Sequence, residues 1–240
     1  MPRAYNPYLR SSLSGFFPPG VKWLLIVNTA IFILTYLFGT PLLLALAPVA
    51  VVYHFAIWQL VTYQFLHGGI THILFNMLAL WMFGTPLERD WGTKRFVKYY
   101  LYCGIAAGVC DVAINALLGH WGTRTIGASG AIFGLLLAFG VLYPNQTVLM
   151  SFLFPIKAKY MVMIYAGIEL LLSVGPNTGV SSVAHLGGMA FGYVYLKGRI
   201  PRVKTSMPDW RGAYKQWKLQ RAKKKFQVYM RKHGGGPWVN

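Results

Sequence analysis

The chain has 240 residues, of which 55% are hydrophobic and only 12% are charged, and its mean hydropathy is +0.46. Soluble domains contain about 25% charged residues, so this composition excludes an ordinary soluble domain and indicates a membrane protein. The formal net charge of +18 must then reside mainly in the segments that such a protein exposes outside the bilayer.

Six apolar stretches are predicted to cross the membrane as helices. A bilayer core about 30 Å thick needs about 20 helical residues, and the stretches lack the alternation expected of barrel strands. The predicted fold is therefore all-α, a polytopic six-helix bundle. No cleavage site follows the first stretch, so we expect it to be retained as a span. The predicted spans are 20–39, 69–86, 95–118, 127–143, 159–175 and 180–198.

The basic residues orient these spans. With segment 1–19 in the cytoplasm, six spans place 22 of the 23 Lys and Arg residues on that side and only Arg124 outside, as the positive-inside rule requires. Both termini are therefore predicted to be cytoplasmic. Segment 41–67 is apolar but interrupted by Pro48 and His54, and we predict that it lies partly in the membrane interface. A seven-span form with an external N-terminus is the alternative.

Residues 199–240 form a predicted cytoplasmic tail, basic with interleaved aromatic residues. One interpretation is a solvated anchor that fixes the topology. Another is adhesion to anionic inner-leaflet lipid, at about 1 kcal/mol per basic residue near the surface. Nucleic acid is not predicted as a partner, because a pI of about 10.1 is expected when basic loops are most of what a membrane protein exposes.

Polar side chains inside predicted spans are expensive, so each one is a functional hypothesis. In the six-span orientation, four of them from three separate spans fall in one layer, about 3–11 Å below the outer boundary. This shared depth is more informative than any single residue. The four are His72, Asn76, Ser129 and His185.

Ser129 is predicted to be a nucleophile with His185 as its general base. Ser129 stands at a predicted helix N-terminus, where free N–H groups and the helix dipole favour developing negative charge. His72 and Asn76, one helical turn apart, would stabilise an oxyanion. Each residue taken alone also has a structural interpretation: helix packing for Ser129, an interhelical hydrogen-bonding pair for His72 and Asn76, and a satisfied structural histidine for His185.

No residue that would orient the base is evident. Asp111, with Asn115 four residues later, lies near a suitable depth and stays open, whereas Glu169 is interpreted as a neutral or paired structural group. Cys103 and Cys110 are interpreted as packing residues, because two positions seven residues apart on one helix cannot form a disulfide. No metal site and no cofactor are predicted.

Taken together, these motifs resemble those of the rhomboid intramembrane serine proteases. The resemblance covers about residues 20–198. It implies a six-helix membrane domain over that range, with 41–67 as a half-embedded first loop and the basic tail outside the domain. The motifs that carry it are WQLVTYQFLHGGITHILFN ending at Asn76, GASG at the start of the fourth span, and AHLGG in the sixth.

The resemblance also implies roles for single residues. Ser129 and His185 match a catalytic dyad that has no acid. His72 and Asn76 match the oxyanion-stabilising pair, which acts with the backbone N–H of Ser129, and Gly127 belongs to the glycine-bearing approach to the serine.

Further positions match supporting elements of the family. Phe133 occupies the position where an aromatic ring, often tyrosine, stacks on the base histidine. Such a stack would orient the base in place of an aspartate, which argues against Asp111. Glu88 matches a structural acid after the second span, and Gly188 is expected to be structural.

The predicted activity is that of a serine-type endopeptidase, a hydrolase, that cleaves transmembrane segments of other proteins near the outer leaflet. The protein is expected to be multi-pass and integral, in the cell membrane if the source is bacterial; its oligomeric state is not predicted. Two alternatives stay open: a catalytically silent relative that binds membrane clients, and a transporter, which would be expected to show internal repeats.

Overall fold

The computed structural model describes residues 17–150, 154–173 and 182–199. The predictions for the basic tail and for most of segment 1–19 lie outside these residues. The fold of the described part is mostly helical, with one 3₁₀ turn at Tyr63–Phe65. The helices are α1 (Pro19–Phe38), α2 (Pro48–Tyr53), α3 (Gln59–Thr62), α4 (Ile70–Trp91), α5 (Thr93–Leu117), α6 (Ser129–Leu142), α7 (Ala158–Ser173) and α8 (Ser182–Arg199).

Three helices of the described part, α1, α4 and α5, are long and apolar enough to cross a membrane. Helix α6 is also apolar but has only 14 residues, a length of roughly 21 Å at 1.5 Å per residue. The chain is therefore an integral membrane protein, and the count of six spans stays a prediction.

The described part is mostly helical, as predicted, and the connection from α6 to α7 adds a short hairpin that the sequence did not predict. Strands β1 (Thr147–Met150) and β2 (Phe154–Lys157) pair as an antiparallel hairpin, with Thr147 opposite Lys157. Both strands are edges of a two-stranded sheet, so Pro155, which has no N–H to donate, is tolerated there. Each strand has only four residues. So short a run shows too little alternation of apolar and polar residues to be recognised as a strand in the sequence.

Helix α4 is longer than predicted, and its last turn anchors α1. It continues through Pro86 and ends at Trp91, where it is followed by Gly92 with a φ of +77°. Within the added turn, the buried Glu88 carboxylate accepts hydrogen bonds from the backbone N–H groups of Gly20 and Val21, both at 2.7 Å. Free N–H groups at a helix N-terminus favour a negative partner, so Glu88 caps α1 from a neighbouring helix.

Segment 41–67 is structured and packs against α5. Gln59, which is 2% exposed, accepts a hydrogen bond from the Ala47 N–H at 3.0 Å. Its Nε2 donates to the carbonyl oxygen of Leu43. The Tyr63 hydroxyl donates to the Gly104 carbonyl oxygen on α5 at 2.6 Å. The polar residues that interrupt the apolar pattern thus hold the segment together.

Helix α6 packs against α4, α5 and α7. Most of its residues are buried, including Ala131, Leu135 and Ala138, each fully inaccessible to solvent. A helix that is apolar on every face belongs in the interior of a bundle. Its N-terminal end, at Ser129, lies close to His72 on α4 and His185 on α8.

Candidate active site

Ser129 is the first residue of α6, and a glycine turn leads into it. Gly127 has a φ of +126°, a region that favours glycine, and a Cβ at this position would lie 2.7 Å from Nε2 of His72. The Gly127 N–H donates to the Tyr63 carbonyl oxygen at 2.9 Å, which ties the turn to segment 41–67. The Ser129 hydroxyl is therefore held at a helix N-terminus by a turn that no larger residue could form unchanged.

His185 lies in the first turn of α8 and contacts Ser129. Its Nε2 is 2.7 Å from the Ser129 Oγ, although 56 residues separate the two in the chain. Glycines permit the approach, because a Cβ on Gly188 would overlap the carbonyl oxygen of Gly130. The backbones of α6 and α8 therefore touch within one turn of the serine and the imidazole.

Phe133, one turn after Ser129 on α6, stacks on the imidazole of His185. The ring centroids are 4.2 Å apart and the planes are inclined by 10°. On α7, Tyr165 meets Phe133 edge-on at 6.4 Å. The stack restrains the tilt of the imidazole but leaves its ring nitrogens free to interact in the ring plane.

Glu169 reaches the other ring nitrogen of His185. Its Oε1 lies 3.0 Å from Nδ1, and the two side chains are only 9% and 8% exposed. The oxygen lies off the line of an Nδ1–H bond, so this is a close polar contact and not an aligned hydrogen bond. From the sequence, Glu169 was interpreted as a structural group and not as part of the site. The available signal was its position as the single acidic residue of an apolar helix.

Asp111 lies in a different environment. Its Oδ2 accepts a hydrogen bond from the Thr125 hydroxyl at 2.7 Å, and its Oδ1 accepts one from Asn115 Nδ2 at 3.1 Å. These contacts join α5 to the segment that leads into α6. The carboxylate found beside His185 is that of Glu169.

Helix α4 contributes His72 and Asn76, one turn apart. Asn76 is 7% exposed, and its Nδ2 has no hydrogen-bond partner among the described residues. The Nδ1 of His72 accepts a long hydrogen bond of 3.4 Å from the Gly68 N–H, while its Nε2 faces Gly127. Two groups able to donate hydrogen bonds therefore border the approach to Ser129.

His67 is a residue of this region that sequence reasoning missed. It is 3% exposed, its ring contacts His72 edge-on at 5.1 Å, and its nitrogens have no hydrogen-bond partner within the described part of the chain. Burial, with a smaller effect from His72, lowers the pKa of His67 to about 4, so its imidazole is neutral at pH 7. No group of three His, Cys, Asp or Glu side chains suited to a metal ion occurs in residues 17–150, 154–173 and 182–199.

A cavity of about 480 Å³ opens beside Ser129, between α4, α6, α7 and β1. Its walls are mainly apolar and include Phe133, Tyr165 and Leu149, and its hydrogen-bonding side chains include those of Asn76 and Ser129. A pocket with apolar walls and a few converging polar groups is the usual form of a binding site. The cavity is large enough for several side chains of an extended peptide.

These features describe a polytopic, mostly helical membrane protein in which a serine and a histidine from two helices meet beside a cavity. The sequence signature of the Rhomboid domain matches residues 54–202, more than half of the chain. The chain therefore belongs to the rhomboid family, and the resemblance predicted from its motifs is confirmed at that level.

Individual relatives agree with this assignment. The chain is 35% identical over 139 residues to rhomboid protease GluP of Bacillus subtilis, a match that covers 57% of this chain and 25% of that protein. It is 32% identical over 140 residues to the putative rhomboid protease YdcA of the same organism, covering 57% and 64%. RHOMBOID-like protein 4 of Arabidopsis thaliana is 33% identical over 138 residues, covering 57% and 32%. The matched region spans less than two thirds of each of these relatives.

Proposed function

We propose that this protein is an intramembrane serine endopeptidase that cleaves transmembrane segments of other membrane proteins near the outer leaflet. The observation that carries the proposal is the 2.7 Å contact between Ser129 Oγ and His185 Nε2 at the N-terminus of a buried apolar helix. Two relatives bear names that include rhomboid protease, which supports the same activity here.

In the proposed reaction, Ser129 Oγ attacks the carbonyl carbon of the scissile peptide bond and passes its proton to His185 Nε2. The tetrahedral intermediate then collapses, the C–N bond breaks, and His185 returns the proton to the leaving amine. Water, activated by the same imidazole, hydrolyses the acyl ester and releases Ser129. His185 therefore serves as base and acid in turn.

The developing oxyanion would be stabilised by the backbone N–H of Ser129 together with Asn76 and His72. Ser129 begins its helix, so its N–H has no partner within the helix, and the Asn76 Nδ2 has no hydrogen-bond partner in the described structure. A donor that is free in the resting protein can bind the oxyanion without first breaking another bond, which favours transition-state stabilisation. Gly127 would keep this approach open.

The substrate would be a transmembrane segment that unwinds locally, with a small residue at the cut. A helix satisfies all of its backbone groups internally, so a carbonyl carbon becomes accessible only after unwinding. The apolar cavity beside Ser129 would receive the unwound side chains. Ser129, which is only partly buried, would meet water from the outer side.

The membrane arrangement that goes with this activity is six spans with both termini in the cytoplasm, in the cell membrane if the source is bacterial. This topology leaves nearly every basic residue on the inner side, as the positive-inside rule favours. The tail 199–240 would lie near anionic inner-leaflet lipid.

Labelling with a fluorophosphonate, which reacts with activated serines, tests the proposal. The detergent-purified protein should be labelled at Ser129 and should cleave members of a panel of transmembrane peptides, and Ser129→Ala should lose both properties. Absence of labelling and of cleavage in the wild-type protein would overturn the proposal in favour of a silent relative that binds membrane clients.

A further inference from the structure

We propose that Glu169 is a positioning residue that completes a Ser129–His185–Glu169 relay, an inference that rests on the proposed function. The carboxylate would hold the proton of His185 on Nδ1, leaving Nε2 able to accept from Ser129. It would also stabilise the imidazolium that forms when the serine is deprotonated. Glu169 itself touches no reacting atom.

The tautomer of His185 is what such a group would control. A neutral imidazole carries one proton, on either ring nitrogen, and Nε2 can act as a base towards Ser129 only when that proton is on Nδ1. A carboxylate beside Nδ1 favours this tautomer, because Nδ1–H can interact with it and a bare Nδ1 lone pair would be repelled. The 3.0 Å approach of Glu169 Oε1 therefore selects the productive form.

Burial strengthens the argument. Glu169 lies in the middle of an apolar helix and is 7% exposed, where an ionised carboxylate is costly unless it is paired. Its pairing is with His185, and the Ser182 hydroxyl, one turn before His185 on α8, also interacts with it. Pairing lowers the cost of burying this carboxylate, and its position at Nδ1 is the one from which it can act on the His185 tautomer.

The two neighbours of the imidazole restrain different motions. Phe133 covers one face of the ring, with the planes inclined by only 10°, and so limits tilting. Stacking does not restrain rotation of the ring about the axis perpendicular to its plane. It also does not determine which ring nitrogen carries the proton. Glu169 acts at the ring edge and supplies both of these restraints, so the aromatic stack and the carboxylate are complementary.

The decisive experiment compares Glu169→Gln with Glu169→Asp. Glutamine keeps the size of the side chain and removes its charge, whereas aspartate keeps the charge and shortens the side chain. A structural role predicts that Gln is the better replacement, and a positioning role predicts that Asp is the better one. The readouts are kcat and KM for a transmembrane peptide, the rate of fluorophosphonate labelling of Ser129, and the unfolding temperature in detergent.

For Glu169→Gln we expect kcat and the labelling rate to fall about 10- to 100-fold with KM and the unfolding temperature little changed. The loss is smaller than the roughly 10⁴-fold cost of neutralising an aligned triad carboxylate, because the contact here is off-axis. Glu169→Asp should retain more activity than Glu169→Gln. The matched control is Asp111→Asn, which neutralises another buried carboxylate and should leave the labelling rate unchanged.

Each outcome is informative. A Glu169→Gln protein with wild-type kcat and labelling rate, or one more active than Glu169→Asp, would overturn the relay while leaving the Ser129–His185 proposal standing. Equal losses in Glu169→Gln and Asp111→Asn would also overturn it, since neutralising any buried acid would then suffice. A wild-type protein that is neither labelled nor active would overturn the proposed function, and the relay with it.

Discussion

Two groups of buried polar residues differ in how many of their hydrogen bonds are made within the protein. The first group comprises Asp111, Asn115 and Thr125. Here Asp111 accepts hydrogen bonds from the other two residues. The second group lies around the serine and comprises Asn76, Ser129, Glu169 and His185. Several of its buried atoms lack an aligned hydrogen bond within the described residues. These atoms are Asn76 Nδ2, Glu169 Oε2 and His185 Nδ1.

The difference separates polar residues whose hydrogen bonds are made within the fold from polar residues that keep unused hydrogen-bonding atoms beside Ser129. A buried polar atom without a partner costs about 1–3 kcal/mol, so a set of them in one place weakens the protein. Departures of this kind are expected at functional sites. Depth in the membrane therefore identifies candidate residues, and their hydrogen bonds separate Asp111 from the residues beside Ser129.

The largest expected effect is that of His185→Ala. Without the imidazole nothing accepts the Ser129 proton, so we expect cleavage of a transmembrane peptide to fall about 10⁵- to 10⁶-fold, as when one member of a catalytic unit is removed. Turnover and fluorophosphonate labelling measure this loss. Near-normal turnover in the variant would show that the 2.7 Å contact is structural.

Asn76→Ala should come next. If its free Nδ2 binds the oxyanion, turnover should fall about 10²- to 10³-fold, with KM changing much less. Steady-state kinetics on the same peptide measure both constants. Wild-type turnover would remove the oxyanion role and would move Asn76 to the structural group of residues.

His67 predicts a pH dependence of stability. Its folded pKa of about 4 lies below its unfolded value of about 6.5, so the unfolded chain binds a proton first as the pH falls. The contribution is absent above pH 6.5, and stability is lost between pH 6.5 and 4, by roughly 3 kcal/mol in total. Unfolding temperatures of wild type and His67→Gln from pH 7.5 to 4.5 measure it; parallel curves would contradict the prediction.

Gly188→Ala should separate α6 from α8. The added Cβ would overlap the Gly130 carbonyl oxygen, which is backbone and cannot rotate away, so we expect a destabilisation of about 1–3 kcal/mol and slower labelling of Ser129. Gly198→Ala, on the same helix and with nothing within 4 Å of the new Cβ, is the control. Equal behaviour of the two variants would show that close helix contact is not required.

The smallest expected effect on catalysis is that of Asp111→Asn. Its carboxylate is bound by Thr125 and Asn115, so its loss should reduce the unfolding temperature while activity stays near wild type. Thermal unfolding and peptide cleavage on one preparation test both halves of this statement. Complete loss of activity would place Asp111 in the relay instead of Glu169.

Much of the architecture is predictable from the sequence because apolar runs define helices. The second, third and fourth predicted spans coincide with α4, α5 and α6 to within a few residues, apart from the extension of α4 beyond Pro86. The interior of segment 41–67 was not predictable, since it depends on which carbonyl and N–H group Gln59 reaches. The β1–β2 hairpin was missed because its strands are short.

The composition of the site was predictable in part. Ser129, His185 and Phe133 were identified from motifs, and the structure brings all three into contact. Glu169 was not connected with them, because its partner depends on how α7 and α8 are rotated relative to each other, and a single sequence does not contain that rotation. Their catalytic roles stay predictions until the variants are measured.

Glu88 has a practical consequence for anyone who wishes to trim this protein. The rhomboid signature begins at residue 54, after the whole of α1, yet the buried carboxylate of Glu88 accepts hydrogen bonds from two backbone amides at the start of that helix. Excising the region before the signature would remove these two donors and leave the Thr93 hydroxyl on the carboxylate, at a cost of about 1–3 kcal/mol per lost partner. The smallest autonomous unit therefore reaches back at least to Pro19, beyond the boundary that family membership suggests.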